Sequence, residues 1–227
     1  MRVRLRNLLA EACLAALRDA RESAALQAVA AFAERTDPMG SAEGLSAEQL
    51  STLAETRCFE VDGARALLAP DLRGDLPALR ARVTRLLEVT AEIPGRCGSA
   101  TPRGDSVSWS LCAAEALFNA GLFFEVHELL EGDWRRAAGD LKTLLQGLIQ
   151  VAVGLHHQTE GNIRGALTRL RAGAAKLGRL RPAAAGIELE GFCSAVEQVV
   201  AQLEAAPGAP VGLPRLVAPQ RSSRKMR

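Results

Sequence analysis

A helix that is apolar on nearly every side must be covered on more than one of them, and the stretch from Asp140 to Glu160 reads as such a helix. Its neighbours have to be other helices. Composition leaves little room for anything else: Ala, Leu, Arg and Glu dominate, Tyr is absent and aromatics make up 4% of the chain, whereas strands draw on β-branched and aromatic side chains. With 227 residues, 48% of them hydrophobic, the chain can bury the core that a central helix needs. The expected fold class is all-α, a helical bundle built from antiparallel helix hairpins.

At about 100° per residue, Gln146, Gln150 and His157 fall within about 40° of one another and draw a narrow polar stripe along this oily rod. Gly147, Gly154 and Gly161 recur every seven residues beside it, where the missing side chains let another helix approach closely. The preceding helix, residues 123–136, connects through a short loop near Ala137 to Gly139 and should run antiparallel to it. On its wheel Phe123, Phe124, Val126, Leu130 and Trp134 lie within about 100° of His127, and Glu131 within about 40°. The pattern predicts His127, Glu131 and Trp134 facing inward and Glu125 and Glu128 projecting outward beside Gly132 and Arg135. Trp134 is expected to place its indole N–H on a carboxylate or carbonyl, Asn162 to cap the next helix, and His156 to point away from the stripe.

Around this pair, helices are expected near residues 106–120, 162–177 and 187–205, with Gly121 and Gly161 where C′ glycines belong. In the amino-terminal half, residues 3–34 read as one or two amphipathic helices ended by Thr36-Asp37-Pro38. Ser46 and Gln49 form a capping box opening a helix to about Arg57. A short helix is expected over Ala64 to Leu68, and Asp75 with Pro77 opens another to about Glu92. The turn formers between Pro94 and Asp105 suggest a linker. The division is therefore 1–93, a helical region of no evident role; 94–105, the linker; 106–205, the bundle; and 206–227, a disordered basic tail ending in the short run from Arg221 to Arg227.

A formal net charge of +2 gives no clear nucleic-acid signal, since phosphate binding needs basic residues gathered on one face. The most apolar stretch, Leu144 to Leu155, is short of the roughly 20 residues that cross a bilayer, so no transmembrane segment is expected. Glu11, Arg18 and Asp19 interrupt any apolar core of an export signal. Cys13, Cys58, Cys97, Cys112 and Cys193 are odd in number and contain no CxxC pair, which argues against a disulfide framework and a thiolate zinc site and in favour of a reducing cytoplasm.

Two kinds of chemistry fit the polar centre. His127 and Glu131, four apart on one helical face, could act with His157 as a divalent-metal site, Glu128 serving as the base that activates a bound water, by analogy with HExxH hydrolases. The pattern here is HExxE, which replaces the second histidine. The other reading is a binding or scaffold module whose buried polar centre of His127, Glu131, Gln146, Gln150 and His157 is internally hydrogen-bonded while the helical surface serves a protein partner. Whether the chain is an enzyme, and whether it takes a cofactor, stays open at this level.

The run Phe118-Asn119-Ala120-Gly121, then Glu125-Val126-His127-Glu128 with Glu131 and Trp134, then Gln146-Gly147-Leu148-Ile149-Gln150, then Gly161-Asn162 with Gly165-Ala166, resembles Domain of Unknown Function family 309. The resemblance spans about residues 110–177. It implies a small all-helical bundle and no particular activity.

Overall fold

The computed structural model of the protein describes residues 1–98, 106–207 and 209–218. Among them the fold is predominantly α-helical, with only small strand pairs, as the composition predicts. The chain divides into two compact units, Met1–Gly95 and Arg96–Arg227.

In the first unit, α1 (Val3–Arg18) and α2 (Ala24–Arg35) are separated by one 3-10 turn, Ala20–Ser23. Helix α3 (Ala47–Ala54) opens on the expected capping box, in which Gln49 N–H donates to Ser46 Oγ at 3.1 Å and Ser46 N–H to Gln49 Oε1 at 2.9 Å. The helix expected over Ala64 to Leu68 does not form. Strands β1 (Ser41–Ala42), β2 (Phe59–Asp62) and β3 (Arg65–Leu68) instead make a small antiparallel sheet in the order β1-β3-β2. The loop between β2 and β3 is Gly63-Ala64, and Gly63, at φ +58°, takes the first central position, where a two-residue hairpin favours glycine. Burial then alternates along β3, with Ala66 and Leu68 inside, and Phe59 packs edge-on to Phe32 at 4.7 Å between ring centroids. Helix α4 (Leu76–Cys97) passes Pro94 rather than ending near Glu92. A proline so close to the end removes a single ladder bond, so the last turn survives.

The second unit holds α5 (Ser106–Asn119), α6 (Phe123–Arg136), α7 (Gly139–Thr159), α8 (Ile163–Gly178) and α9 (Glu190–Ala205). Helices α5 and α7 end alike. Gly121 and Gly161 take φ +74° and +75°, and the next N–H in each case returns to a carbonyl five residues back, Leu122 to Leu117 and Asn162 to His157. The last expected helix starts later than predicted, because Ile187–Glu188 (β5) pairs with Ala183–Ala184 (β4) across a turn at Ala185 and Gly186, both at positive φ.

Helix α7 is covered by α6 on one side and α8 on another. The α7–α8 contact is close because glycines make it so. A Cβ on Gly147 would sit 2.6 Å from Leu177 Cδ2, one on Gly154 would sit 2.7 Å from Leu170 Cγ, and one on Gly173 would sit 2.7 Å from Val151 Cγ2. Gly161 has open space around it and serves only the turn.

Two expectations about this unit are corrected. Cys97 and Cys112 form a disulfide; spacing in sequence is silent about which chain segments fold together, and these two meet at 5.7 Å between Cα atoms. With it goes the premise from which a reducing compartment was inferred. Beside the bond, Arg96 pairs at 2.5 Å with the buried carboxylate of Glu115. The stretch after α9 is also not wholly without structure. Leu216 N–H donates to Asn119 Oδ1 at 3.0 Å, Asn119 Nδ2–H donates to the Leu216 carbonyl at 2.9 Å, and Leu216 and Ala218 are buried. The Asn119 amide offers the donor–acceptor pair of a neighbouring strand, which a proline-rich segment can use without a helix. The run from Arg221 to Arg227 and much of the expected linker lie outside the described residues.

No described helix is long and apolar enough to cross a membrane.

Candidate functional site

Helix α6 carries most of the residues singled out in the sequence, and its rotation differs from the expectation. The buried face is Phe123, Val126, Leu130 and Asp133, together with Glu125, which is fully buried. His127, Glu128 and Glu131 are half-buried, with side-chain exposures of 27%, 35% and 32%. The apolar arc is centred closer to Val126 and Leu130 than to His127, so His127, Glu131 and Trp134 fall on one shoulder of it and Glu125 on the other. Glu125 was expected outside; it is the most enclosed carboxylate of the helix. Asp133 is held by Arg136 at 2.7 Å.

The polar residues on the outer shoulder do not form one internal network. His127 Nδ1 lies 3.1 Å from Glu128 Oε1. Glu131 pairs with Arg135, one turn on, at 2.8 Å. Phe124 contacts both His127 and His156, at 6.0 and 5.7 Å between ring centroids, so His156 packs back toward α6. His157 goes elsewhere: its Nδ1 is 3.4 Å from Asn162 Nδ2, and Asn162 Oδ1 accepts from Gly165 N–H at 2.9 Å, capping α8 as its residue type predicts.

What the structure brings together is a cleft of about 160 Å³ walled by His127, Glu131 and Trp134 from α6, Gln146, Ile149 and Gln150 from α7, and Arg169 from α8. The Gln146 and Gln150 stripe therefore does meet the His127 and Glu131 face. His157 is not part of it. With Asn162, Arg164, Gly165 and Thr168 it lines a separate, more open hollow at the start of α8. The trio of His127, Glu131 and His157 does not converge on one point, and no group of three or more His, Cys, Asp or Glu among the described residues is placed to hold a metal ion.

Two atoms of residues that wall the cleft are exceptional, though neither presents surface to it. Trp134 Nε1 and Gln150 Oε1 are both buried and neither has a hydrogen-bond partner. The indole N–H was expected to reach a carboxylate or carbonyl. Instead its ring is covered by Lys142, whose Nζ lies 5.5 Å from the ring centroid, and the enclosed N–H finds no acceptor. Leaving a buried polar group unpaired costs about 1 to 3 kcal/mol, and native structures keep few of them.

Arg169 is the residue that reading the sequence missed. It is exposed, lines both the cleft and the neighbouring hollow, and makes no ion pair or hydrogen bond to any described residue. One signal was available: α8 carries Arg164, Arg169, Arg171 and Lys176 and no acidic residue. The cysteines outside the disulfide, by contrast, offer little chemistry. Cys13, Cys58 and Cys193 are buried, and burial pushes the Cys58 and Cys193 thiols up, away from thiolate formation.

Residues 111–168 match a family described as a domain of unknown function (DUF309), in agreement with the resemblance carried by the motifs. The matched segment runs from α5 into α8, includes every cleft residue named from α6 and α7, and ends one residue before Arg169. No curated protein and no solved structure matches the chain.

Proposed function

We propose that the chain is a binding module and that the cleft between α6, α7 and α8 receives a small polar ligand. The observation that carries this reading is the cleft itself, whose walls gather the polar side chains of His127, Glu131, Gln146, Gln150 and Arg169 around one space. In a bundle able to seal its α7–α8 contact, polar side chains gathered around an open space are the lining that a small polar ligand needs. The polar centre is then the binding surface rather than a scaffold that only stiffens the bundle. Metal-dependent hydrolysis gains no support from the geometry, because His127 is engaged by Glu128 and His157 belongs to a different hollow.

The indole N–H resonances test this directly. The chain has two tryptophans, and Trp109 already donates to the Gly98 carbonyl at 3.0 Å, so it serves as an internal control. Titrating labelled protein with a panel of small acids, amides and alcohols should move the Trp134 signal saturably and leave that of Trp109 in place. Should no member of the panel move Trp134, the cleft holds only water and the reading is lost.

A further inference from the structure

The stretch after α9 is laid down like a bound peptide. Residues 210–218 form neither helix nor strand, yet their burial alternates: Pro214, Leu216 and Ala218 are buried, while Leu213, Arg215 and Val217 are exposed. The contrast runs from 1% exposure at Leu216 and 4% at Ala218 to 53% at Leu213 and 52% at Val217. A period of two belongs to an extended chain lying with one face on a surface. We propose that the surface beside the end of α5 is a recognition groove for an extended segment of the pattern Pro-x-Leu-x-Ala. Residues 214–218 are its resident ligand, and a partner protein carrying such a segment takes their place. Neither Asn119 nor residues 214–218 line the cleft, so this site stands apart from the reading just given.

Asn119 carries the backbone part of the recognition. Its Nδ2–H donates to the Leu216 carbonyl at 2.9 Å, and its Oδ1 accepts from Leu216 N–H at 3.0 Å. One side-chain amide thereby satisfies both polar groups of one residue, as a paired strand would. The two bonds also fix which way the amide is turned, since its oxygen must meet an N–H and its nitrogen a carbonyl. Because both bonds go to backbone, they hold any extended chain at this point. Selection then falls to the positions that bury alternate side chains, the division of labour in strand-like peptide recognition.

Three features make the resident replaceable. Asn119 is itself exposed, so water takes over both bonds when the segment leaves and no buried polar group is orphaned. Among the described residues, 210–218 belong to no sheet or helix, so departure breaks no ladder. The segment is also tethered to α9 through residues 206–213, and a short flexible tether supplies an effective concentration on the order of millimolar. The resident therefore excludes weak ligands and yields to a segment that binds more tightly.

The test uses the full chain and a capped, fluorescently labelled peptide of residues 212–218, Gly-Leu-Pro-Arg-Leu-Val-Ala. Leu216→Asp in the chain puts a carboxylate where an apolar side chain is buried and should empty the groove. By fluorescence anisotropy that variant should bind the peptide saturably, and the wild type roughly tenfold more weakly because its own segment competes. A peptide carrying the same Leu216→Asp change should bind neither. Adding Asn119→Ala to the variant should weaken the peptide by roughly a further tenfold, as two hydrogen bonds predict, while Val217→Lys, on the exposed side, should leave the wild-type behaviour unchanged. Hydrogen exchange on the unmodified chain needs no variant: Leu216 N–H should exchange through a local opening, well ahead of the amides in the middle of α7. If the folded Leu216→Asp chain binds no peptide, or binds it no better than the wild type does, the segment is fixed cover and the proposal is overturned. Should that variant fail to fold, the exchange rate decides alone, and exchange of Leu216 N–H only together with the α7 amides overturns it equally. A wild-type dimer that disappears in Leu216→Asp would overturn the separate partner and give the groove to a second copy of the chain.

Discussion

Helix α7 meets its two neighbours in opposite ways. Against α8 it closes to van der Waals contact, Gly147 and Gly154 lying under Leu177 and Leu170, and Gly173 lying over Val151. Against α6 it leaves a cleft walled by glutamines, a tryptophan and a histidine, with two buried polar atoms unpaired. Both contacts belong to one helix within one bundle, so general looseness does not explain the gap. The difference lies in side-chain choice: small residues on one side, polar residues of middle length on the other. A seam made of glycines maximises packing, whereas a seam made of Gln146, Gln150, His127 and Trp134 gives up packing and keeps hydrogen-bonding capacity.

Three substitutions probe that contrast. The largest effect is expected at the sealed seam. A Cβ at Gly173 would meet Val151 Cγ2 at 2.7 Å, the Gly147 carbonyl at 2.9 Å and Val151 N at 3.0 Å; two of these are backbone atoms that cannot turn aside. Gly173→Ala should cost about 3 kcal/mol in a urea titration, and a loss under about 1 kcal/mol would mean that the seam yields and the contrast with the cleft is overstated. The next effect has the opposite sign. Trp134→Phe removes the unpaired indole N–H and keeps the aromatic face, so without ligand the protein should be as stable as before or more stable by about 1 kcal/mol. A marked loss in the same titration would show that the N–H has a partner and that the cleft is packed like the seam. The smallest effect is expected on the rim. Arg135→Ala frees Glu131 from an exposed i,i+4 pair, and the change should stay within about 0.5 kcal/mol; a larger one would make the pair part of the structural core.

Local signals explain which parts of this could be read in advance. Gly121, Gly161 and Asn162 mark helix ends by backbone conformation and capping, and these depend on a few adjacent residues. The boundaries of α6, α7 and α8 accordingly match the sequence reading closely. The meeting of the Gln146 and Gln150 stripe with His127 was also legible, because helices joined by a short loop must pack side by side. The rotation of α6 was not. Centring its wheel on His127 ignored Leu129, which draws the apolar arc away from His127 and carries Glu125 into the interior. Arg169 escaped for a different reason. Its place in the cleft depends on the register of α8 on α7, set by Leu170 over Gly154 and Leu177 over Gly147, which is a fact about packing between segments. The hairpin of β2 and β3 was overlooked although Gly63 marked its turn, because a helical expectation for the whole chain took precedence over a local turn signal. The pairing of Cys97 with Cys112 belongs with Arg169: proximity in the fold decides it.

The amide of Asn119 on α5 holds the backbone of Leu216 by two hydrogen bonds across 97 positions of sequence. The self-sufficient form of the second unit is therefore longer than its helices. A chain ended at Ala205, where the last helix stops, would contain every helix of the bundle and yet strip Asn119 of its partner and uncover the surface that Leu216 and Ala218 occupy. The limits of a domain are drawn by what its residues must cover, and here a stretch with the composition of a tail does the work of a wall.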